Sequence, residues 1–347
     1  MNPKTPVLLA LAVLLTWGCQ PSNETDRPVI GFSMDTLEEE RWQRDRDLFV
    51  AAAEKLGAEV LVQSAGSDDA RQIAQCENLL TRGVDVLVVV PHNGKAAAAV
   101  VEMAHRSGVK VIAYDRMIND SDLDLYVSFD NERIGELQAQ YLVEKVPRGN
   151  YVLIGGDPAD FNSHLYRRGQ MRILQPSIDR GDVTVVAAQW ASEWQPIEAL
   201  RHVENALTQH DNQIDAVVAS NDGTAGGAIQ ALAEQGLAGT VSVSGQDAEL
   251  AALQRVVEGT QAMTIYKPLP VLAETVAEAA MRLIRGEELP NLNATIPNGK
   301  IDVPSIQLDV IVVDRDNVVE TVIKDGFHTM EAIYQNVPQA DWPTGSQ

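Results

Sequence analysis

The segment Ile214–Asp247, IDAVVASNDGTAGGAIQALAEQGLAGTVSVSGQD, admits very few folds. Ile214 to Ala219 is a short, valine-rich apolar run with the length and composition of a strand buried on both faces. It stops at Ser220-Asn221-Asp222, where Asp222 reads as a helix N-cap. An Ala-rich helical pattern with Ala228, Ala231 and Leu232 on one side follows. Gly236 and Gly239 close that helix, and Thr240 to Ser244 reads as a second buried strand running into Gly245-Gln246-Asp247. This is a βαβ unit with hydrogen-bonding side chains at the carboxyl end of both strands. In an open parallel sheet that edge is where ligands bind.

The same rhythm fills the chain. Strand patterns over Val29–Met34, Glu59–Gln63, Val84–Val90, Lys110–Tyr114 and Tyr126–Phe129 alternate with amphipathic helical patterns. Thr36 with Glu39 has the spacing of a capping box for the first helix. The rhythm restarts with a helix at Ile134–Val146 and strands at Tyr151–Ile154, Val183–Ala188 and Met263–Tyr266, the opening βαβ unit lying between the last two. Two successive βα series of similar size predict an α/β fold of two similar, doubly wound parallel-sheet lobes. Val303 to Ile323 alternates β-branched and polar residues and reads as late strands. A chain of 347 residues is long enough for two such cores.

The first residues have another purpose. Lys4 followed by the apolar run Val7–Trp17 reads as an export signal, too short to stay as a membrane span. Gly18-Cys19 at its end resembles the lipobox of bacterial lipoproteins, which makes Cys19 the expected lipid-bearing residue of a signal over 1–19 and 20–28 a polar tether. The expected location is then the periplasm or the outer face of the cell membrane, with membrane contact only through the lipid. With Cys19 acylated, Cys76 is left alone, and its helical apolar surroundings read as those of a buried small hydrophobe.

Several functions are disfavoured. A formal net charge of −22 argues against nucleic-acid binding, which needs a basic surface. No dinucleotide, P-loop or G-x-S-x-G signature is present, and the histidines show no metal-ligand spacing. Asp314-Arg315-Asp316 opens like a calcium loop, but Val318 and Val319 stand where a ligand and the turn glycine belong. The expectation is a non-enzymatic protein without cofactor or metal.

What remains is a set of polar and aromatic residues around strand ends: Arg41 with Trp42, Asp115 with Arg116, Asp160 with Asn162, Trp194, Asn221 with Asp222, Asp247 and Lys267. Arginine, asparagine and aspartate can satisfy neighbouring hydroxyls, and tryptophan offers a flat face to the C–H side of a sugar ring. Taken singly, each has a bland alternative as solvated charge, core aromatic or helix cap. Their shared position is what makes them a set.

The segments EERWQRDRDLFV, GVDVLVVVPHNG, AYDRMINDSDLDLYVSFDNERIGELQA, GNYVLIGGDPADFN, SNDGTAGGAIQAL, SGQDAELA, TIYKPL and VIKDGFH cover much of the chain. In them the sequence resembles the periplasmic sugar-binding proteins of ABC importers, the ribose- and galactose-binding class. The resemblance implies the type I periplasmic-binding-protein fold, with the two lobes joined by a three-stranded hinge. Chain crossings are expected near Asp130, Tyr266-Lys267-Pro268 and Asp302-Val303-Pro304, giving lobes of 29–130 plus 267–303 and of 131–266 plus 304–335, with 336–347 as a tail. It implies that Arg41, Trp42, Arg116, Asp160, Asn162, Trp194, Asn221, Asp247 and Lys267 hold a monosaccharide, with D-xylose the expected sugar, and that Trp42, Trp194 and Phe161 supply the bulk that excludes larger ones. Phe161 is bulkier than the polar residue expected between Asp160 and Asn162. The implied partners are an ABC permease and ATPase complex, or a chemoreceptor or sensor kinase in the alternative reading, with the protein itself a monomer.

Overall fold

The computed structural model describes residues 27–343; the signal segment, Cys19 and most of the polar tether lie outside the described residues. The first lobe begins with β1 (Val29–Met34), α1 (Glu40–Lys55), β2 (Glu59–Ser64), α2 (Asp69–Thr81), β3 (Val86–Val89), α3 (Ala98–Arg106), β4 (Lys110–Tyr114) and β5 (Leu125–Phe129). The second follows as α4 (Asn131–Lys145), β6 (Gly149–Gly155), α5 (Phe161–Asp179), β7 (Val183–Trp190), α6 (Pro196–Gln209), β8 (Ala216–Ala219), α7 (Asp222–Glu234), β9 (Ser242–Val243), α8 (Leu250–Glu258) and β10 (Thr264–Tyr266). The chain returns to the first lobe for α9 (Leu269–Arg285), β11 (Ala294–Pro297) and β12 (Asp302–Leu308), then closes the second with β13 (Ile311–Val313) and α10 (Met330–Ile333).

The first sheet has the order β11-β12-β5-β4-β3-β1-β2, parallel throughout except for the β11–β12 edge pair. The second runs β7-β6-β8-β9, all parallel. Strand β10 continues it: Ala262 N donates to Val243 O at 2.9 Å and Asp247 N to Ile265 O at 2.8 Å, while β13 pairs antiparallel on its far side. Both lobes therefore repeat one order, second strand, first, third, fourth, fifth. The valine-rich strands are buried on both faces because helices cover both. In the first lobe α1 and α9 pack on one side through Phe49, Leu272 and Val276, and α2 and α3 on the other through Leu79, Val100 and Val101. Cys76 is fully buried in the latter layer, and burial pushes its thiol up to about 11.

Four expectations need correction. Helix α1 is not started by a Thr36–Glu39 box: Thr36 Oγ1 accepts from Glu38 N at 3.1 Å, Glu39 is the N-cap, and no side chain caps the helix. Asn221, not Asp222, caps α7, its Oδ1 accepting from Thr224 N at 2.9 Å, and Asp222 is buried behind it. The expected crossing near Asp302-Val303-Pro304 falls inside β12, which pairs with β5 from Ser305↔Tyr126 to Leu308↔Phe129, so the chain changes lobe only at Asp309-Val310. The alternation of β-branched residues persists through β12 and β13 and carries no mark of the switch. Val319–Ile323, expected as strand, is a helical turn with Val322 buried under it.

Candidate functional site

The carboxyl ends of the strands in both lobes meet at one pocket. Its wall is formed by Glu39, Arg41, Trp42, Asp115, Arg116, Asp160, Asn162, Tyr166, Trp194, Asn221, Gln246, Asp247 and Lys267. The nine residues expected to hold the sugar are all on that wall, whereas Asp222 and Phe161 are not. Asp115 and Arg116 leave β4, Asn221 leaves β8, Gln246 and Asp247 leave β9, and Lys267 leaves β10. Arg41 and Trp42 stand in the first turn of α1, and Asp160 caps α5, its Oδ1 accepting from Asn162 N at 2.9 Å. Asp115 and Asp247 hold left-handed backbone, φ 62° and 98°, as does Trp194 at 57°. Such strain in non-glycine residues is held in place by surrounding structure and gathers at functional sites.

Two arginines of the first lobe cross to carboxylates of the second. Arg41 lies between Asp45 Oδ2 (Nη2, 3.0 Å) and Asp115 Oδ1 (Nη2, 3.3 Å) of its own lobe and reaches Asp247 Oδ1 at 3.4 Å. Arg116 Nη1 donates to Asp35 Oδ2 at 2.6 Å, and its Nε lies 2.9 Å from Asp160 Oδ2. Lys267 Nζ, at the second crossing, sits 3.2 Å from Asp247 Oδ1. Asn162 joins the lobes too, its Nδ2 donating to Asp115 O at 2.9 Å. Trp42 is 2% exposed and lies beneath both guanidinium groups, 4.1 Å from that of Arg41 and 4.9 Å from that of Arg116. Trp194 Nε1 donates to Asp160 Oδ2 at 3.3 Å, and a Cβ on Gly156 would overlap the Trp194 ring, which is why glycine stands there.

These pairs set the protonation of the wall. Burial pushes Asp115 up, but Arg41, Lys267 and Arg116 outweigh it and hold the carboxyl below its usual value. Burial wins at Asp160, which is raised in spite of Arg116. Burial also lifts Glu39 to about 7 at the mouth of the pocket and Glu249, across from it in the second lobe, to about 9. Each cation of the pocket wall already faces at least one carboxylate, so the site has no uncommitted positive charge to offer an anion. Polar atoms remain, however. Gln246 Oε1 is buried with no hydrogen-bond partner among the described residues, and Asn221 spends its Oδ1 on Thr224, which leaves its amide nitrogen as the group it can offer. Aromatic walls, cations already committed to carboxylates and spare hydrogen-bonding groups suit a neutral, hydroxyl-rich ligand.

The wall residues not singled out from sequence are Glu39, Tyr166 and Gln246. Gln246 adjoins Asp247 at a strand end, so the same signal covered it. Tyr166 follows Asn162 by one helical turn and shares its face. Glu39 was hidden in the run Glu38-Glu39-Glu40 and by its apparent capping role. Phe161 is absent from the wall. It points the other way, onto the first-lobe cluster that includes Ile118 and Tyr126, beside Ile296.

A family profile described as periplasmic binding protein domain matches residues 30–288. A D-xylose-binding periplasmic protein of Escherichia coli is 56% identical over 86% of this chain and 90% of its own length. One from Haemophilus influenzae is 53% identical over 94% of this chain and 98% of its own. The crystal structure of a carbohydrate transporter solute-binding protein from Chloroflexus aurantiacus, in complex with D-glucose, superposes with a TM-score of 0.82 at 32% identity, covering 87% of this chain and 97% of that one. Profile, relatives and topology agree: the chain belongs to the periplasmic binding protein family.

Proposed function

We propose that this protein captures a neutral monosaccharide, D-xylose, between its two lobes and delivers it to the permease of an ABC importer. The observation that carries the reading is the pair of arginines bridging the lobes around an aromatic-walled pocket: closing the lobes completes the site, and a ligand that prefers the completed site shifts an open–closed equilibrium toward it. The sugar contacts in this reading are Arg41, Trp42, Arg116, Asp160, Asn162, Trp194, Asn221, Asp247 and Lys267, with Gln246 added. D-Xylose is favoured over hexoses by the two D-xylose-binding relatives and by the bulk of Trp42 and Trp194 at the wall. Glucose differs from xylose in an exocyclic hydroxymethyl group, and an extra group that props two lobes apart forfeits contacts on both sides.

Calorimetry with D-xylose, D-ribose and D-glucose tests this. D-Xylose should bind at least about a hundredfold more tightly than D-glucose, on the order of 3 kcal/mol. Trp194→Ala should weaken xylose and narrow that gap. Equal affinity for glucose would refute the xylose assignment, and no affinity for any sugar would refute the reading as a whole. Cys19 is the proposed lipid attachment point, holding the exported protein at a membrane without a spanning helix; two acyl chains suffice for stable anchoring. Intact-mass analysis of the native protein should show an N-terminal, diacylated Cys19, and an unmodified N-terminus elsewhere would remove it. Among the described residues no helix is long and apolar enough to cross a membrane.

A further inference from the structure

The segment Gly326-Phe327-His328 lies outside the sugar pocket and yet touches the elements that build it from both lobes. Gly326 takes φ 70°, which turns the chain after the Val319–Ile323 helical turn of the second lobe. Phe327 then packs against the core clusters of both lobes. Its ring lies 5.0 Å from that of Tyr266, the residue before Lys267, and 4.4 Å from the guanidinium of Arg44 on α1. Arg44 Nη1 donates to Phe327 O at 2.8 Å, and Nη2 lies 3.3 Å from His328 Nδ1. On its other edge, His328 Nε2 lies 3.2 Å from Ala248 O, the carbonyl that follows Asp247.

The two neighbours of the imidazole select one form of it. A guanidinium has only donors, so Nδ1 must carry a lone pair; a carbonyl only accepts, so Nε2 must carry the hydrogen. That is a neutral imidazole with a single tautomer. We propose that Gly326–His328 is an inter-lobe clasp in which Arg44 and a neutral His328 position α1, which carries Arg41 and Trp42, against the Asp247–Ala248 turn, so that sugar-holding closure weakens when His328 gains a proton. The clasp rests on the sugar-capture reading above.

The charged groups about the ring are Arg44 and Glu40 from α1, themselves paired at 2.9 Å; Glu249 follows Ala248 in the chain and Asp325 precedes Gly326. Burial, then Arg44, holds His328 below the ordinary histidine value, against the smaller pull of Glu40. A base held low in the closed form favours closure at pH above its open-form value. That contribution is lost as pH falls through the closed-form value.

The test is D-xylose affinity across pH 4.5 to about 7.5 for wild type, His328→Gln and Arg44→Ala. Glutamine keeps an N–H for Ala248 O but takes up no proton. Wild type should lose affinity on the acid side by about tenfold more than His328→Gln does. Arg44→Ala, a substitution at a partly exposed helix position, should bind about tenfold more weakly at neutral pH and show a flattened acid limb. Acid limbs that are the same in all three proteins, or an Arg44→Ala affinity equal to wild type, would overturn the clasp while leaving sugar capture standing. Absence of xylose binding by wild type at neutral pH would instead refute the sugar reading.

Discussion

Arg116 shows what one side chain does in a site between two lobes. Buried within one rigid core, an arginine paired with Asp35 and Asp160 would be needed for folding, since removing one partner of a buried pair leaves the others uncompensated. Here Asp160 belongs to the other lobe, so opening the cleft hydrates it. The cost of Arg116→Ala should therefore fall on closure and affinity, not on the fold. The same holds for Asp247→Ala, which frees Arg41 and Lys267. Each substitution should weaken xylose binding by one to about two decades, the range for a buried polar group left unpaired. The melting temperature without sugar should stay near wild type, and calorimetry showing unchanged affinity for either variant would take that residue out of the site. At this scale the sequence was legible as far as position goes. Strand ends marked Arg116 and Asp247, but nothing local said which carboxylate each cation would meet.

Helix α5 carries a division of labour on consecutive residues. Asp160 caps it and Asn162 faces inward, whereas Phe161 packs outward on the first-lobe cluster next to Ile296. A helix turns about 100° per residue, so neighbours in sequence face different ways. In the proposed reading Phe161 supports closure through apolar contact, since it packs on the first-lobe cluster and stands off the pocket wall. Phe161→Ala should weaken D-xylose and D-ribose by the same factor, about tenfold for the loss of roughly 1–2 kcal/mol of buried contact. Calorimetry that found their ratio altered would mean that the ring reaches the ligand. Elements themselves were readable: period and glycine punctuation predicted β1 and β4 to the residue. The edge strand β11 was missed because ATIP is short, half-exposed and ends in proline.

For the whole molecule, closure buries carboxylates of like charge facing one another. Glu39 and Glu249 approach from opposite lobes, and burial raises them to about 7 and about 9, with Asp222 and Asp247 adding to the rise of Glu249. An acid raised in the closed form favours closure below its open-form value, and the contribution is lost as pH rises through the closed-form value. Xylose affinity should accordingly fall by about tenfold between roughly pH 6 and pH 9. Glu249→Gln should flatten that alkaline limb, and an affinity that is level over the range in wild type would remove Glu249 from closure.

The sequence alone determined that the chain forms two βα lobes, where each strand delivers its polar end, and which side chains gather there. Those properties depend on runs of a few residues: burial of valine-rich strands, helical periodicity, turns at glycine. Tertiary structure decided the rest. Arg41 and Asp247 are 206 positions apart and meet only because the two lobes face each other across the pocket. Strand β12 joins the first sheet because β5 offers it an open edge, not because its sequence differs from that of β13. Glu39 and His328 look unremarkable in the chain and acquire their roles from neighbours supplied by the opposite lobe, whose approach no local pattern encodes.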